Sequence, residues 1–522
     1  MKDRHLFNRD CGILLHPSSL PGDFGIGDFG PASFEWIEAL AAARQSLWQI
    51  LPLNPAGYGD SPYQGLSAFA ANPVFISPED LHQRELITSQ ELEGLKIPAE
   101  DRIPYAQVYQ NKKRMTELAA KRFFQTDPGA PIRKKYDGFF KDAASWLPDY
   151  ALFYALKEKH GGVAWTEWPA ESRDRQPAAL ARLAEDSKDA IQRVYFEQFI
   201  LRRQWSAVRR FAGERGIRII GDLPIFVAHD SVDVWCRPEL FKLKPDGRPS
   251  VVAGVPPDYF SATGQLWGNP IYDWDAHRAE NFNWWRSRVQ HTLDWVDIIR
   301  IDHFRGFDAC WEVPAEASTA AEGTWVPSCG EEILGAFADT LGDPLPFIAE
   351  DLGVITDAVI TLRDRYKLPG IRILQFAFGT DSMKSTFIPE AYDQSCVAYT
   401  GTHDNDTIVG WFNSVPGHNS TRSEAEIASE KAQALSYFGT DGSEIHLDCI
   451  RRLYASNAAA TIIPLQDLLG LGSGARMNTP GQASGSWVWR FADPSALPAA
   501  MEQLGALTSN ASRGLSVNAT LV

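Results

Sequence analysis

The chain has 522 residues, 44% hydrophobic and 22% charged, a composition typical of folded globular proteins that excludes extensive disorder. Its 66 acidic residues outnumber 50 basic ones, and the formal charge of −16 argues against a nucleic-acid binder, which needs a basic surface. The N-terminal sequence does not resemble a signal peptide and no apolar run suits a membrane span, so we expect a cytoplasmic protein without membrane contact.

Eight short runs, apolar on both faces and rich in Ile, Val and Leu, predict buried strands. In chain order they cover residues 12–17, 47–53, 217–227, 296–304, 346–353, 370–378, 396–404 and 460–469. Segments with helical periodicity alternate with them, for example residues 31–45, 282–296 and 331–341. This alternation predicts an α/β fold, a (β/α)₈ TIM barrel, with an open doubly wound sheet as the competing arrangement.

The spacing of the predicted strands is uneven. Strand two ends at Leu53 and strand three begins at Ile217, a separation of 217 − 53 = 164 residues, whereas a plain βα unit needs about 30. We therefore expect one catalytic domain, residues 1–522, with a mostly helical inserted subdomain at 75–190. A second insertion after strand three, residues 229–280, is rich in Gly, Pro and aromatic residues and is expected to form a cleft wall or lid.

Polar residues stand at the ends of the predicted strands, where barrel enzymes place their chemistry. These residues are His16, Asp222, Asp302 with His303, Glu350 with Asp351, and His403 with Asp404 and Asp406. A single carboxylate at one strand end is often only a capping group. Acidic residues at the ends of strands three, four, five and seven together indicate an active site.

Two neighbouring strand ends suit acid–base chemistry on a glycosidic bond. Arg300 and Asp302 share one face of their strand, so the guanidinium should keep Asp302 ionised, although a structural ion pair is the alternative. Glu350 follows an apolar run, which favours its protonated form. Adjacent strands bring these carboxyl groups about 5 Å apart, the separation expected of a retaining glycosidase. Asp404, two strands further on, is too far to complete the pair and could grip sugar hydroxyls.

Aromatic residues are abundant, with 17 Trp, 15 Tyr and 28 Phe. Many of them must pack in the core, but pyranose rings also stack on aromatic faces in sugar-binding clefts. Metal chemistry is disfavoured, because no CxxC or HxH occurs and His16, His303 and His403 lie on separate strands. We expect no metal and no cofactor, with the six scattered cysteines as free thiols.

Several long motifs resemble the 4-α-glucanotransferases of glycoside hydrolase family 77, also called amylomaltases or disproportionating enzymes. They are GDLPIFVAHDSVDVW, PPDYFSATGQLWGNPIYDW, IIRIDHFRGF, FIAEDLGVIT and YTGTHDNDT. The similarity extends from GILLHPSSLPG through PLNPAGYGDSPYQGLSAFAANP to RMNTPGQASGSWVWR, which is essentially the whole chain.

The resemblance implies roles for specific positions. It makes Asp302 the nucleophile, Glu350 the acid/base and Asp404 the transition-state stabiliser. The implied substrate-binding residues are Tyr63, Asp222, Phe260, Trp267, Arg300, His303 and His403. The implied substrates are maltooligosaccharides and glucans derived from starch or glycogen, with glucose as an acceptor.

Three alternatives remain open from the sequence. An α-1,4-glucan hydrolase of the amylase type would use the same carboxylates with water as the acceptor. A metal-dependent barrel hydrolase would use the His and Asp strand ends. A catalytically inactive glucan-binding protein would keep the cleft without turnover.

Overall fold

The computed structural model describes residues 6–257, 263–379, 384–417, 422–482 and 484–515. These ranges contain the following strands: β1 (Asp10–Leu14), β2 (Leu47–Gln49), β3 (Arg218–Pro224), β4 (Val251–Val255), β5 (Gln265–Pro270), β6 (Ile298–Asp302), β7 (Ala309–Pro314), β8 (Thr324–Pro327), β9 (Phe347–Ala349), β10 (Gly370–Ile373), β11 (Cys396–Tyr399) and β12 (Ala460–Pro464).

Eight of these strands form one parallel sheet in the order β10-β11-β12-β1-β2-β3-β6-β9. The two outer strands of that order meet, because the Ala349 amide donates a hydrogen bond to the Pro369 carbonyl, just before β10, at 2.9 Å. The sheet therefore curls into a barrel, which confirms the predicted (β/α)₈ fold. Every predicted strand run overlaps one barrel strand.

The α-helices of the described ranges surround and extend the barrel. They are α1 (Pro31–Ala42), α2 (Pro78–Gln83), α3 (Ser89–Glu93), α4 (Tyr105–Gln125), α5 (Pro131–Asp142), α6 (Leu147–Lys159), α7 (Ala170–Arg173), α8 (Pro177–Asp186), α9 (Lys188–Glu214), α10 (Val232–Cys236), α11 (Trp274–Ala279), α12 (Asn283–Leu293), α13 (Gly330–Leu341), α14 (Asp357–Arg365), α15 (Ile408–Phe412), α16 (Glu424–Phe438), α17 (Ile445–Ala455), α18 (Leu465–Leu468) and α19 (Leu497–Asn510). Helices α2 to α8 all lie between β2 and β3, where the sequence predicts a helical insertion. None of the helices that the structure describes is both long and apolar enough to cross a membrane.

A second, antiparallel sheet stands beside the barrel, with strand order β5-β4-β7-β8. Strands β4 and β5 belong to the second insertion, whereas β7 and β8 follow the barrel strand β6. The sequence did not predict β7 or β8 as strands. Trp311 and Trp325 are paired across them, with ring centroids 5.2 Å apart.

The barrel interior is a layer of apolar side chains. It is built from Leu14, Leu47, Ile220, Ile298, Ile348, Ile371, Ile373, Val397, Tyr399, Ala460 and Ile462, all buried. Side chains two residues apart share one face of a strand, so the positions that follow this layer also point inward. On three neighbouring strands those positions are Gln49, Asp222 and Arg300. The interior thus changes from apolar to charged at the carboxyl ends of the strands.

The segment GIGDFG, residues 25–30, matches the GxGxxG spacing of dinucleotide-binding loops. Here the glycines serve packing. A Cβ at Gly27 would lie 2.0 Å from the Pro17 carbonyl oxygen, and one at Gly30 would lie 2.5 Å from the Ser77 hydroxyl. Glycine is required because the backbone approaches its neighbours too closely for a side chain.

Candidate active site

Arg300 joins two carboxylates at the carboxyl end of the barrel. Its Nη1 atom donates to Asp222 Oδ1 and Oδ2 at 2.8 and 2.7 Å and to Asp302 Oδ1 at 3.0 Å. The Asp222 side chain is inaccessible to solvent, whereas that of Asp302 is 28% exposed. Burial raises the pKa of Asp222 to about 6, with Arg300 opposing the shift and the Asp302 charge adding to it. The more open carboxylate, Asp302, is the one that a substrate can reach.

Glu350 directly follows β9, in which Phe347, Ile348 and Ala349 are all buried. Its Oε2 accepts a hydrogen bond from the His303 amide at 2.7 Å, and its Oε1 accepts one from the Leu352 amide at 3.1 Å. These amides favour the carboxylate, but burial outweighs them and raises the pKa of Glu350 to about 8. Glu350 is therefore a carboxylic acid at neutral pH.

Asp302 and Glu350 lie side by side at the barrel mouth. Strands β6 and β9 are hydrogen-bonded neighbours, and Ile301 is the register partner of Ala349. Asp302 and Glu350 are the next residues along each strand, and neighbouring strands are about 4.8 Å apart. The two carboxyl groups thus occupy one rim, as the sequence predicts.

The backbone turn at His303 brings its amide to the Glu350 carboxyl group on the neighbouring strand. The His303 backbone is left-handed, with φ 52° and ψ 52°, so the chain turns immediately after Asp302. The ring packs edge-on against Trp267, with centroids 4.9 Å apart. Burial lowers the pKa of His303 to about 4, which keeps the imidazole neutral.

Asp404 lies in the loop after β11, two strands beyond β9 around the closed barrel. Its Oδ1 accepts a hydrogen bond from Asn478 Nδ2 at 2.6 Å, and its carbonyl accepts one from Arg476 Nη2, also at 2.6 Å. His403 Nε2 lies 3.5 Å from the same Oδ1. The side chain is partly exposed and faces the mouth from the side opposite β3.

Stacked rings form one wall of the site. Tyr63 stacks on His403 with centroids 5.2 Å apart, and Trp487 lies 5.6 Å from Tyr63 and 5.9 Å from His403. The Tyr63 hydroxyl donates to Asp222 Oδ2 at 2.8 Å, which connects this wall to the charged layer. Trp487 has a left-handed backbone with φ 65°, an uncommon conformation for a bulky residue.

Sequence reasoning did not single out Trp487, Asn478 or Arg476 as site residues. All three come from the segment after α18, which is remote in sequence from the strand ends. The only signal for them is the tryptophan-rich run RMNTPGQASGSWVWR.

Three strand-end residues form their hydrogen bonds with the scaffold. His16 is buried and accepts the Leu51 amide at Nδ1, 3.2 Å away, and burial lowers its pKa to about 3. Asp351 accepts the Ile371 amide at 2.7 Å and pairs with Arg363 at 2.5 Å. Asp406 accepts hydrogen bonds from the Thr407 amide and the Ser473 hydroxyl. Phe260, a predicted aromatic contact, lies outside the described residues.

Nothing in the described part of the chain resembles a metal site, since no three His, Cys, Asp or Glu side chains are grouped as ligands there. The functional groups at the site are carboxyl groups, one guanidinium and imidazoles.

The fold and the site together define a (β/α)₈-barrel enzyme with adjacent carboxyl groups at its mouth, an architecture suited to glycosidic bonds. The chain belongs to glycoside hydrolase family 77, the 4-alpha-glucanotransferases, whose family model matches residues 15–495.

Individual relatives resemble it over nearly their full lengths. The 4-alpha-glucanotransferase of Synechocystis sp. is 46% identical over 489 residues, covering 93% of this chain and 94% of that protein. The Thermus thermophilus 4-alpha-glucanotransferase is 44% identical over 491 residues, covering 92% and 95%. The structure of amylomaltase from Streptococcus agalactiae in complex with acarbose matches with a TM-score of 0.90 at 36% identity, covering 97% of this chain and 100% of that one.

Proposed function

We infer that the chain carries out the reaction of its family as a 4-α-glucanotransferase. It transfers a segment of an α-1,4-glucan to the 4-hydroxyl of another glucan or of glucose. The observation that carries the chemistry is the pair of carboxyl groups on β6 and β9, one beside Arg300 and the other with its pKa raised to about 8. An α-1,4-glucan hydrolase would share this pair, but relatives at 44–46% identity named as transferases do not favour it.

The proposed cycle is a double displacement through Asp302 and Glu350. Glu350 gives its proton to the leaving glycosidic oxygen while an Asp302 oxygen attacks the anomeric carbon, which forms a β-linked glycosyl-enzyme. The leaving glucan departs with its new 4-hydroxyl. The 4-hydroxyl of an acceptor then attacks the same carbon and gives its proton to the Glu350 carboxylate, and the Asp302 ester bond breaks. Two inversions give net retention.

The neighbouring groups have supporting roles in this proposal. Arg300, 3.0 Å from Asp302, stabilises the ionised nucleophile, and buried Asp222 fixes the guanidinium in turn. The imidazoles of His303 and His403 bind sugar hydroxyls. Asp404 stabilises the positive charge that develops on the sugar ring in the transition state.

The aromatic residues and insertions complete the proposed cleft. Tyr63 and Trp267 contact the substrate rings, and Phe260 contributes from outside the described residues. The insertion at 229–280 forms a wall or lid that keeps water from the glycosyl-enzyme, which transfer requires. We further propose that 75–190 is a helical subdomain of a single catalytic domain, 1–522.

The cell setting is part of the proposal. Donors are maltooligosaccharides or glucans derived from starch or glycogen, and glucose serves as an acceptor. All six cysteines are unpaired, which suits a reducing cytoplasm.

Chromatography of the products formed from pure maltotriose tests the reaction. A transferase yields glucose together with a series of longer oligosaccharides. Adding a chelator should not change these products. Release of glucose and maltose without any longer chain would instead identify an amylase-type hydrolase, and loss of activity on chelation would identify a metal enzyme.

Asp302→Asn tests the nucleophile. We expect turnover to fall by about 10³-fold or more while maltotriose binding survives, because only the attacking anion is lost. Asp364→Asn, which removes an exposed carboxylate on α14, is the matched control and should retain full turnover. An Asp302→Asn variant with native turnover would contradict the assignment.

A further inference from the structure

Arg305 is a buried arginine close to the catalytic pair that the cycle above does not use. It lies in the turn Phe304–Phe307 that follows Asp302 and is only 5% exposed. Its Nη1 donates to the Val354 carbonyl, and its guanidinium carbon lies 3.6 Å from the centroid of the Trp325 ring. No carboxylate of the described ranges forms a salt bridge with it.

Burying a cation that has no salt-bridge partner is costly, and the Asp308 carboxylate offsets only part of the burial of Arg305. Burial lowers the pKa of Arg305, and its Nε is buried without a hydrogen-bond partner among the described residues. The Trp325 ring and the Val354 carbonyl offset part of the cost, through a cation–π contact and a charge-assisted hydrogen bond. These two contacts fix the guanidinium between the β7–β8 hairpin and the loop after β9.

That loop, residues 351–356, connects Glu350 to α14. Within it, the Leu352 amide donates to Glu350 Oε1 at 3.1 Å. The Val354 side chain is 57% exposed and so does not anchor the loop in the core. The bond from Arg305 to the Val354 carbonyl attaches the loop to the strand end that carries Asp302.

We propose that Arg305 is a positioning residue that holds residues 351–356 so that the Leu352 amide stays on the Glu350 carboxyl group. The proposal rests on the proposed function of Glu350 as the acid/base and deepens it, because it assigns the part of the structure that tunes this group.

The charges that face Glu350 fix the direction of the expected effect. They are Arg300 and Asp302 on β6 and Asp351 in the loop itself, and the His303 amide adds a hydrogen bond. Replacing Arg305 alters none of these groups directly, and Asp351 remains held by the Ile371 amide and Arg363. Loss of the hydrogen bond from the Leu352 amide disfavours the Glu350 carboxylate, so its pKa should rise further.

Arg305→Met tests this through the pH dependence of kcat/KM on maltotriose. We expect the alkaline limb to move upward by about 0.5 pH unit and kcat to fall about tenfold with a smaller change in KM. Arg305→Lys, which keeps a cation and a donor, should restore part of both. Arg365→Met, an exposed arginine on α14 at the far end of the same segment, should leave the profile unchanged.

Trp325→Leu provides a second variant that acts on the same guanidinium. Trp325 lies on the outer sheet, and its replacement should move the alkaline limb of kcat/KM in the same direction by a smaller amount. If Arg305→Met does not fold, this variant tests the proposal in its place. Folded variants whose alkaline limb coincides with that of the native enzyme would overturn the proposal. If kcat/KM of Glu350→Gln still fell at the same alkaline pH, that fall would not arise from Glu350. The proposed function itself would then fail.

Discussion

Asp302 and Glu350 carry the same functional group in opposite environments. Asp302 is partly exposed and 3.0 Å from a guanidinium, which favours the anion. Glu350 follows three buried apolar residues, and burial raises its pKa to about 8. The proposed division of labour between nucleophile and acid therefore follows from where each strand ends relative to solvent and to Arg300.

The raised pKa of Glu350 predicts how activity and stability change with pH. The folded state holds this proton more tightly than the unfolded chain, whose glutamate titrates near the ordinary 4.5. The stabilisation is complete below that value and is lost as the pH rises through about 8. Activity that needs the protonated acid should fall above the same pH.

The variant Glu350→Gln separates the effect of pH on stability from its effect on activity. The amide cannot ionise, so the variant should gain stability relative to the native chain between pH 5 and pH 9, by about 2 kcal/mol in urea unfolding. This gain is smaller than the pKa difference alone would give, because the Glu350 carboxyl group is partly open to solvent. A stability difference that stays constant with pH would show that Glu350 titrates near its ordinary value.

The sequence predicts the position of a side chain well where a strand carries it. Asp222, Asp302 and Glu350 each follow an apolar run, so their position at the barrel mouth could be inferred from periodicity. Asp351 satisfies the same rule, but it is one residue further along and pairs with Arg363 away from the mouth. Trp487 reaches the site through a long connection whose path no local pattern encodes.

At the scale of elements, β5 shows how one strand serves two surfaces. Trp267 packs edge-on against His303, whereas its neighbour Leu266 is exposed. Alternation along the strand places the two side chains on opposite faces. Of the two, only the tryptophan contacts a residue of the candidate site.

Trp267→Ala tests the proposed lid. We expect the ratio of hydrolysis to transfer to rise about fivefold, because water gains access to the glycosyl-enzyme while the carboxyl pair is untouched. Free glucose released per longer oligosaccharide formed from maltotriose measures this ratio. Trp267→Phe should restore most of the transfer, and Leu266→Ala is the matched control on the other face. If Trp267→Ala and Leu266→Ala gave the same ratio of hydrolysis to transfer, Trp267 would not be part of the lid.

The elements also differ in how well the sequence predicts them. Barrel strands are buried on both faces, so they stand out as continuous apolar runs such as residues 12–15. Strand β8 has no buried residue, and in β7 only Cys310 and Val313 are buried. These strands form because β7 pairs with β4 and β8 pairs with β7, and the pairing with β4 is a long-range cause that their own residues do not encode.

At the scale of the whole molecule, the barrel joins the two ends of the chain. Strand β1 pairs with β12 over five residues. The Arg9 Nη2 atom donates to the Ala511 carbonyl at 2.8 Å, just after α19. Arg513 then returns to the barrel and donates to the carbonyls of Tyr454, Ser456 and Ala458 at 2.6–2.9 Å. The C-terminal segment thus secures the connection between α17 and β12.

Arg513→Met tests whether this attachment stabilises the barrel without taking part in catalysis. Arg513 is buried, and burial lowers its pKa to about 10, so its charge is retained at neutral pH. Its loss leaves three buried carbonyls short of a donor, and we expect the free energy of unfolding to fall by about 3 kcal/mol. The value of kcat on maltotriose at 25 °C should be unchanged, because α17 and β12 lie on the far side of the barrel from β6 and β9. Arg210→Met, at an exposed position on α9, should leave both quantities unchanged. A lower kcat with native stability would contradict this purely structural role.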